Sequence, residues 1–407
     1  MASAFGTSPG GWSGTSGASG FSGCSGYSGA GTSGYSGAGT SGYSGSSGAM
    51  GTSGYSGRSG PSGYSGSLAR PNVIDNPDFN VWQRGSPINV TDDHYAADRW
   101  NVLTQTAGVS GAKYPYWYAV GGCFGKLIQY QAAAQRCMWS QIIPSQTSKS
   151  LRGRDCYLSC LCWQDTTLTI NARYALLWWT GDADTTVVSD VVNDWTSSNY
   201  TLGNFFASGQ LALIKTGNVS APTTNFTYLT ATISAAEMGS ADDSHNKNLI
   251  LCLWFEPAIA QNKTVMFADV QLYQGTQALA FQSPSPGASL AECQRYFTAL
   301  SSTTGNKLVG YVNYGTGPSY MWFSYHLPVT MRAAPVLGTG SAAAGDYQIF
   351  TGINAYYACT ALPYLVDATP ELAVGAATAA AGLTPGWAGM LNFKTAGVSI
   401  MTFSADL

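Results

Sequence analysis

Beyond about residue 76, apolar and polar positions alternate in short runs bounded by Gly, Asn, Asp or Ser: Cys156 to Trp163, Thr167 to Trp179, Asn248 to Phe255 and Thr264 to Tyr273. A period of two sends successive side chains to opposite faces of a strand, so each run predicts a strand with one buried face. Several short strands without long helices between them predict a mainly β fold, a β-sandwich of jelly-roll type. Cys156, Cys160 and Cys162 share one parity and read as small buried side chains on a single strand face. Helical spacing appears once, where Leu290, Cys293, Phe297 and Leu300 follow Pro286-Gly287, and predicts a connector helix over 288–300. Lys307 to Tyr314, Ser319 to Val329, Ala334 to Leu337, Tyr347 to Phe350 and Met390 to Phe403 read as a second set of strands, with Ala373 to Gly386 between them as an exposed loop. The pattern thus predicts a sandwich over 68–287, the connector, and a smaller C-terminal β domain over 301–407.

The first part of the chain obeys a different rule. From Gly11 to Ser65 glycine returns at every third position with two exceptions, and all complete triplets except Gly48-Ala49-Met50 end in Ser. A three-chain helix demands this, because each chain passes a crowded axis once per turn and no Cβ fits there. A flexible Gly/Ser linker has no reason to keep phase. Trp12, Phe21, Tyr27, Tyr35, Tyr43, Tyr55 and Tyr64 all occupy the middle of a triplet and would project outward from such a rod. The repeat skips a residue at Gly29-Ala30-Gly31 and at Gly37-Ala38-Gly39, where identical chains would skip together. Pro61 alone represents proline inside the repeat, so the stalk needs a trimeric clamp elsewhere. A collagen-like stalk over 11–67 would span about 170 Å at a polyproline-like rise. Residues 1–10 are then an attachment segment. Another glycine-spined form, or a disordered segment, is the alternative.

Composition narrows the partners. Charged residues make up 10% of the 407, against about 25% in typical proteins. With a net charge of −3 and no basic run, no footprint for nucleic acid is present. A neutral surface rich in hydroxyls and aromatics suits sugars better. The cysteine count is odd, at nine, and paired CxxC motifs are absent, so neither a zinc ribbon nor a disulfide scaffold is indicated. The start, Met1-Ala-Ser-Ala-Phe-Gly-Thr, lacks a signal-peptide pattern, and no apolar run reaches membrane-spanning length. No membrane insertion is expected. A rod made in a cytoplasm without a secretion signal points towards a virus.

A series of motifs carries a family resemblance. Asn76-Pro-Asp-Phe79-Asn-Val-Trp82-Gln83-Arg84-Gly85, followed by Tyr95-Ala-Ala-Asp98-Arg99-Trp100, resembles the opening of the carbohydrate-binding-like jelly roll of bacteriophage tail fibre proteins. Leu151-Arg152-Gly153-Arg154 through Ser159 resembles an internal strand of that family, and Asp269 to Gly275 through Phe281 its closing strand. Cys293-Gln294-Arg295-Tyr296-Phe297 and Leu327-Pro328 through Pro335 are similar to the junction and the C-terminal strand that follow it. The ordered pieces cover roughly residues 70 to 340. The resemblance implies a virion appendage, commonly trimeric, that touches the host surface.

Sugar recognition needs flat apolar faces for pyranose C–H surfaces, ringed by polar partners for hydroxyls. Trp179 with Asp182, and Trp195 with Tyr200, offer that combination, as do Tyr356, Tyr357 and Trp387 in loop-like sequence of the C-terminal domain. Trp82, Arg84, Asp98 and Trp100 read as structural, with the two indoles in the core and Arg84 and Asp98 placed to form a half-buried ion pair. Asp182, Asp184 and Asp190, or Asp242 and Asp243, could hold a structural Ca²⁺, yet EF-hand spacing does not back it, and no metal or cofactor is expected. His94, His245 and His326 are scattered singly. The glutamates Glu237, Glu256, Glu292 and Glu371 form no shared motif, and GxSxG, HExxH and P-loop patterns are absent, so no catalytic residues are expected.

The combined reading is a homotrimeric virion fibre, synthesised in the host cytoplasm, joined to other virion proteins through its N-terminus and adhering to host surface polysaccharide, with the C-terminal β domain over 301–407 clamping the trimer and presenting host-facing loops. Two alternatives stand beside it: a non-viral collagen-like protein assembling head to tail into extracellular filaments, and a polysaccharide depolymerase.

Overall fold

The computed structural model describes residues 72–406, except 116–121, 166–169, 185–190, 221–225, 242–243, 302–307, 315–318, 341, 352–354, 381–382, 384–387 and 395–399. The attachment segment, the stalk and Trp387 lie outside the described residues. The strands of the first half are β1 (Ile88–Val90), β2 (His94–Tyr95), β3 (Asn101–Thr104), β4 (Val109–Pro115), β5 (Cys123–Gln129), β6 (Cys137–Ile143), β7 (Cys156–Gln164), β8 (Asn171–Trp179), β9 (Leu211–Ser220), β10 (Thr227–Ile233), β11 (Leu249–Glu256) and β12 (Lys263–Gln274). They form two six-stranded antiparallel sheets, in the orders β1-β4-β5-β12-β7-β10 and β2-β3-β6-β11-β8-β9. Strands β5 to β12 change sheets in the order that defines a jelly roll.

Between the sheets lies a core that includes Phe79, Trp100, Trp139, Leu158, Leu253 and Phe267. Cys156, Cys160 and Cys162 all point into it, which is why small side chains recur at that parity of β7. The entry segment before β1 seals one end. Asn76 is fully buried at φ 48° and bridges Val81 and Asp98 through its amide, and Trp100 donates its indole N–H to the Asn76 carbonyl at 3.0 Å. Phe79 stacks on Trp100 at 4.7 Å and lies against Gly125, where an added Cβ would meet the Phe79 ring at 2.4 Å. Glycine is required there by contact.

Strand β11 is apolar on both faces. Leu249, Leu251, Leu253 and Phe255 enter the inner core, whereas Ile250, Cys252 and Trp254 point outward. The outward row is covered by the long connection from β8 to β9, which lays Val191, Val192, Tyr200, Phe205 and Phe206 over it. Phe205 stacks on Trp254 at 5.3 Å, so the outer face of this sheet is a second core.

The second half contains β13 (Phe297–Ser301), β14 (Leu308–Tyr314), β15 (Tyr320–His326), β16 (Val336–Gly338), β17 (Tyr347–Phe350), β18 (Tyr356–Ala358), β19 (Tyr364–Ala368), β20 (Leu372–Thr378), β21 (Gly389–Phe393) and β22 (Ile400–Ser404). They form a three-stranded sheet, β13-β22-β16, and a seven-stranded sheet, β18-β17-β21-β14-β15-β20-β19, around a core of their own with Phe323, Tyr347, Phe393 and Phe403. Residues 72–406 belong to one compact unit. Gln83 donates to the Phe297 carbonyl at 2.7 Å, and Arg84 joins Asp98 at 3.2 Å to Asp406, which ties the entry segment to β13 and to the residues that follow β22.

Three sequence expectations are corrected. The helix runs over Pro286–Gln294, capped by Ser285, and Phe297 and Leu300 belong to β13, which pairs with β22. Ala373 to Thr378 is no exposed loop but most of β20, whose small residues let neighbours approach: a Cβ on Gly375 would meet the Phe323 ring at 2.3 Å. Met390 to Phe403 divides into β21 and β22, which lie in different sheets.

Candidate functional site

Among the described residues, Trp179, Trp195 and Tyr200 are brought together in the outer cluster of the first half, whereas Tyr356 and Tyr357 belong to the second half. Trp178 enters the inner core, and Trp179, the last residue of β8, turns to the outer cluster, half-buried, with its indole donating to the Asp182 carbonyl at 3.0 Å. Asp182 itself is exposed. Trp195 is half-buried, edge-on to Phe205 at 5.8 Å, and Arg136 donates to the Ser197 carbonyl beside it at 3.0 Å. Tyr200 cannot serve as a surface contact: it is buried between Trp254 at 5.6 Å and the Arg173 guanidinium at 3.8 Å. Apolar burial outcompeted display here, because the connection carrying these residues packs its aromatics onto the sheet.

Tyr356 and Tyr357 lie on the edge strand β18 rather than in a loop. Alternation sends Tyr356 outward, against Phe350 at 4.8 Å, and Tyr357 towards the core. Trp82 is half-buried, edge-on to Trp139 at 6.2 Å, and Trp100 is fully buried. Arg84 packs over the rings of Tyr95 at 4.8 Å and Phe297 at 3.5 Å while bonding Asp98. Burial raises the Asp98 carboxyl above its usual range, opposed by Arg84 and by hydrogen bonds from Gln83.

The outer face of the first sheet gathers residues that the sequence reading passed over. Phe124, Leu161, Met266 and Ala268 form a small cluster there, with Trp163 and Phe226 packed against it half-buried. Registers place them in rows that cross the sheet. Ala112, Lys126, Met266 and Trp163 lie side by side across β4, β5, β12 and β7. In the neighbouring row Ala268 faces Leu161, and Leu161 faces Tyr228. Tyr114 pairs with Phe124 across β4 and β5, and the Lys126 ammonium lies 5.2 Å from the Tyr114 ring centre. Tyr114 is 40% and Tyr228 58% exposed. Further along, the segment after β12 covers the sheet: Leu279 accepts from Gln271 at 3.4 Å and donates to the Tyr273 hydroxyl at 2.8 Å. The result is a shallow aromatic floor with one ammonium and, from Tyr228 and Thr230, hydroxyls. Its signal was legible as an apolar outward parity on β7, Leu161 and Trp163, opposite the three cysteines.

Among the described residues no group of three or more His, Cys, Asp and Glu could hold a metal ion. Burial raises Asp184, but hydrogen bonds from Ser145 and Asn248 outweigh it and hold its carboxyl low, leaving those oxygens engaged. Asp190, Asp242 and Asp243 lie outside the described residues. Asp269, buried at a bulge in β12, has its carboxyl raised to about 6 by burial and by the nearby Asp78. Burial pushes the thiols of Cys137, Cys156, Cys162, Cys252 and Cys359 up to about 12, which removes them as nucleophiles. No described helix is long and apolar enough to cross a membrane.

The fold and this face define a mainly β protein whose larger part is a jelly-roll sandwich. No protein-family model matches the sequence, and no curated protein does. Among solved structures, a candidate sugar binding protein from Bacteroides thetaiotaomicron is similar over 50% of this chain and 100% of that one, at 14% identity and a TM-score of 0.31. A CBM4 structure is similar over 50% of this chain and 99% of its own, at 14% identity and a TM-score of 0.27. The enzymatically active domain of tailspike protein 4 of bacteriophage CBA120 shares 12% identity over 50% of this chain and 21% of that one, with a TM-score of 0.29.

Proposed function

We propose that the protein is a homotrimeric virion fibre that adheres to host cell-surface glycans and performs no catalysis. The observation that carries the glycan reading is the open aromatic floor of Tyr114, Trp163, Phe226 and Tyr228 around Lys126. Aromatic rings on an exposed sheet face offer apolar surface to the C–H faces of pyranoses, and the neighbouring hydroxyls and ammonium suit sugar hydroxyls. The trimer rests on the glycine repeat, and the virion setting on the ordered motifs from Asn76 to Pro335. Three copies on one stalk would turn weak single contacts into firm attachment.

The test is retention of the full-length protein on immobilised host capsule or lipopolysaccharide. Trp163→Ala and Tyr228→Ala together are expected to cut retention at least tenfold, the scale of one or two lost aromatic contacts. The mass of the assembly and the chain length of the polysaccharide are expected to stay unchanged. Undiminished retention would remove this face from the mechanism, and shortened polysaccharide would replace adhesion with depolymerisation.

A further inference from the structure

The seven-stranded sheet ends on β19, a strand with no partner on its far side among the described strands. Edge strands are ordinarily guarded by charge, proline or cover, because their free N–H and C=O groups template pairing. This one carries Tyr364-Leu-Val-Asp-Ala368, with Asp367 as its one charge. Leu365 turns to the core, whereas Tyr364 is 54% and Val366, at a bulge, 44% exposed. The apolar character continues inward, since Tyr364 faces Ala376 on β20 and Ala376 faces Trp322 on β15. Nearby, Val336 on β16 is 71% exposed, and Leu362 is exposed as well.

A surface of this kind has a cost in water that burial would recover. The occupant follows from the other end of the chain. A repeat with glycine at every third place and Pro61 as its lone proline needs three chains and a clamp outside itself. Asp367 is the one charge on the strand, and a head-to-tail contact of the kind that closes a trimer sets different residues opposite each other, so a second copy would meet it without like-charge repulsion. We propose that the β19 edge, with Tyr364, Val366 and Val336 at its centre, is where a second copy of this chain docks to close the trimer. This rests on the homotrimer reading above and names the surface that makes it stable.

The experiment measures thiol protection in the full-length chain. In a Cys24→Ser background the remaining cysteines are buried, so one introduced thiol dominates maleimide labelling. Val366→Cys is compared with Tyr228→Cys on the open sandwich face, at sites of similar exposure within one chain. Labelling at position 366 is expected at least tenfold slower while light scattering gives a trimer mass. A second variant, Val366→Lys with Val336→Glu, is expected to lower that mass to a monomer while near-ultraviolet circular dichroism is kept. Equal labelling rates in a trimer would overturn the surface assignment and leave the trimer standing. A monomer mass for the unsubstituted chain would overturn both.

Discussion

Asn76→Ala tests whether the entry segment organises the sandwich. Asn76 has no exposed surface, and its side chain makes three hydrogen bonds: Nδ2 donates to the carbonyls of Val81 at 3.0 Å and Asp98 at 2.9 Å, and Oδ1 accepts from the Val81 N–H at 3.0 Å. The Val81 carbonyl keeps a second partner, the Asp98 N–H at 3.0 Å. Alanine therefore orphans two buried groups, the Val81 N–H and the Asp98 carbonyl. Each orphan costs about 1–3 kcal/mol. The backbone at φ 48° adds a further penalty, about 1–2 kcal/mol for a residue with a Cβ and no local hydrogen bond to compensate. The sum is about 3–8 kcal/mol, against a total stability of about 5–15 kcal/mol for an ordinary domain. Urea unfolding followed by tryptophan fluorescence reads it directly, because Trp100 bonds the same residue. Asn76→Gly isolates the backbone share and is expected to recover about 1–2 kcal/mol of the loss. A cost below about 1 kcal/mol for Asn76→Ala, far under one orphaned group plus strain, would refute the assignment.

Two further perturbations follow from buried charge. Asp269 has a folded pKa of about 6, raised by burial and then by Asp78. Stability from its bound proton is full below the unfolded value near 4 and lost as pH rises through about 6. Asp269→Asn is thus expected to raise Tm at pH 8, by up to about 3 kcal/mol of stability, and to leave it nearly unchanged at pH 4. A lower Tm at pH 8 would mean that the carboxylate is ionised and held by a positive partner. Arg84→Leu strips the counter-ion from buried Asp98 and the tie to Asp406. Its expected cost is about 3–5 kcal/mol, with limited proteolysis now releasing the C-terminal strand, and an undisturbed digest would show the tie to be dispensable.

The sandwich was legible where a strand carries a dense apolar run between polar turns. Cys156 to Trp163 and Asn248 to Phe255 sit within a residue of β7 and β11. Elsewhere the partner that decides is remote in sequence. Phe297 and Leu300 have helical spacing, yet β13 is fixed by β22 at the far end of the chain. The Ala- and Gly-rich stretch of β20 looked like a loop because its reason is close approach to Phe323, which composition does not report. For the site, parity reveals that a face is apolar but not what covers it. Trp254 and Trp163 are both outward indoles; one lies beneath Phe205, and the other floors an open face.

The same difference separates the two exposed apolar surfaces of the protein. The sandwich has two apolar outer faces, and the chain closes one with its own β8–β9 connection while, among the described residues, part of the other stays open. Nothing in the strand pattern of the open face forbids a cover, since the segment after β12 already reaches Gln271 and Tyr273. What is left uncovered is aromatic and rimmed by hydroxyls and Lys126, chemistry that tolerates water and suits a hydrated ligand. The β19 edge is apolar apart from Asp367, with Tyr364 and Val366 on the strand and Leu362 and Val336 beside it, and its outer edge has no strand partner among the described strands, chemistry that suits protein contact. The two surfaces share no residue, so substitutions in one should leave the other's readout intact within about 0.5 kcal/mol. Measured on one chain, Tyr228→Ala should weaken glycan retention without changing the mass of the assembly. Val366→Lys with Val336→Glu should dissolve the assembly and lower retention to the level of a single copy, a loss of avidity with the per-copy affinity kept.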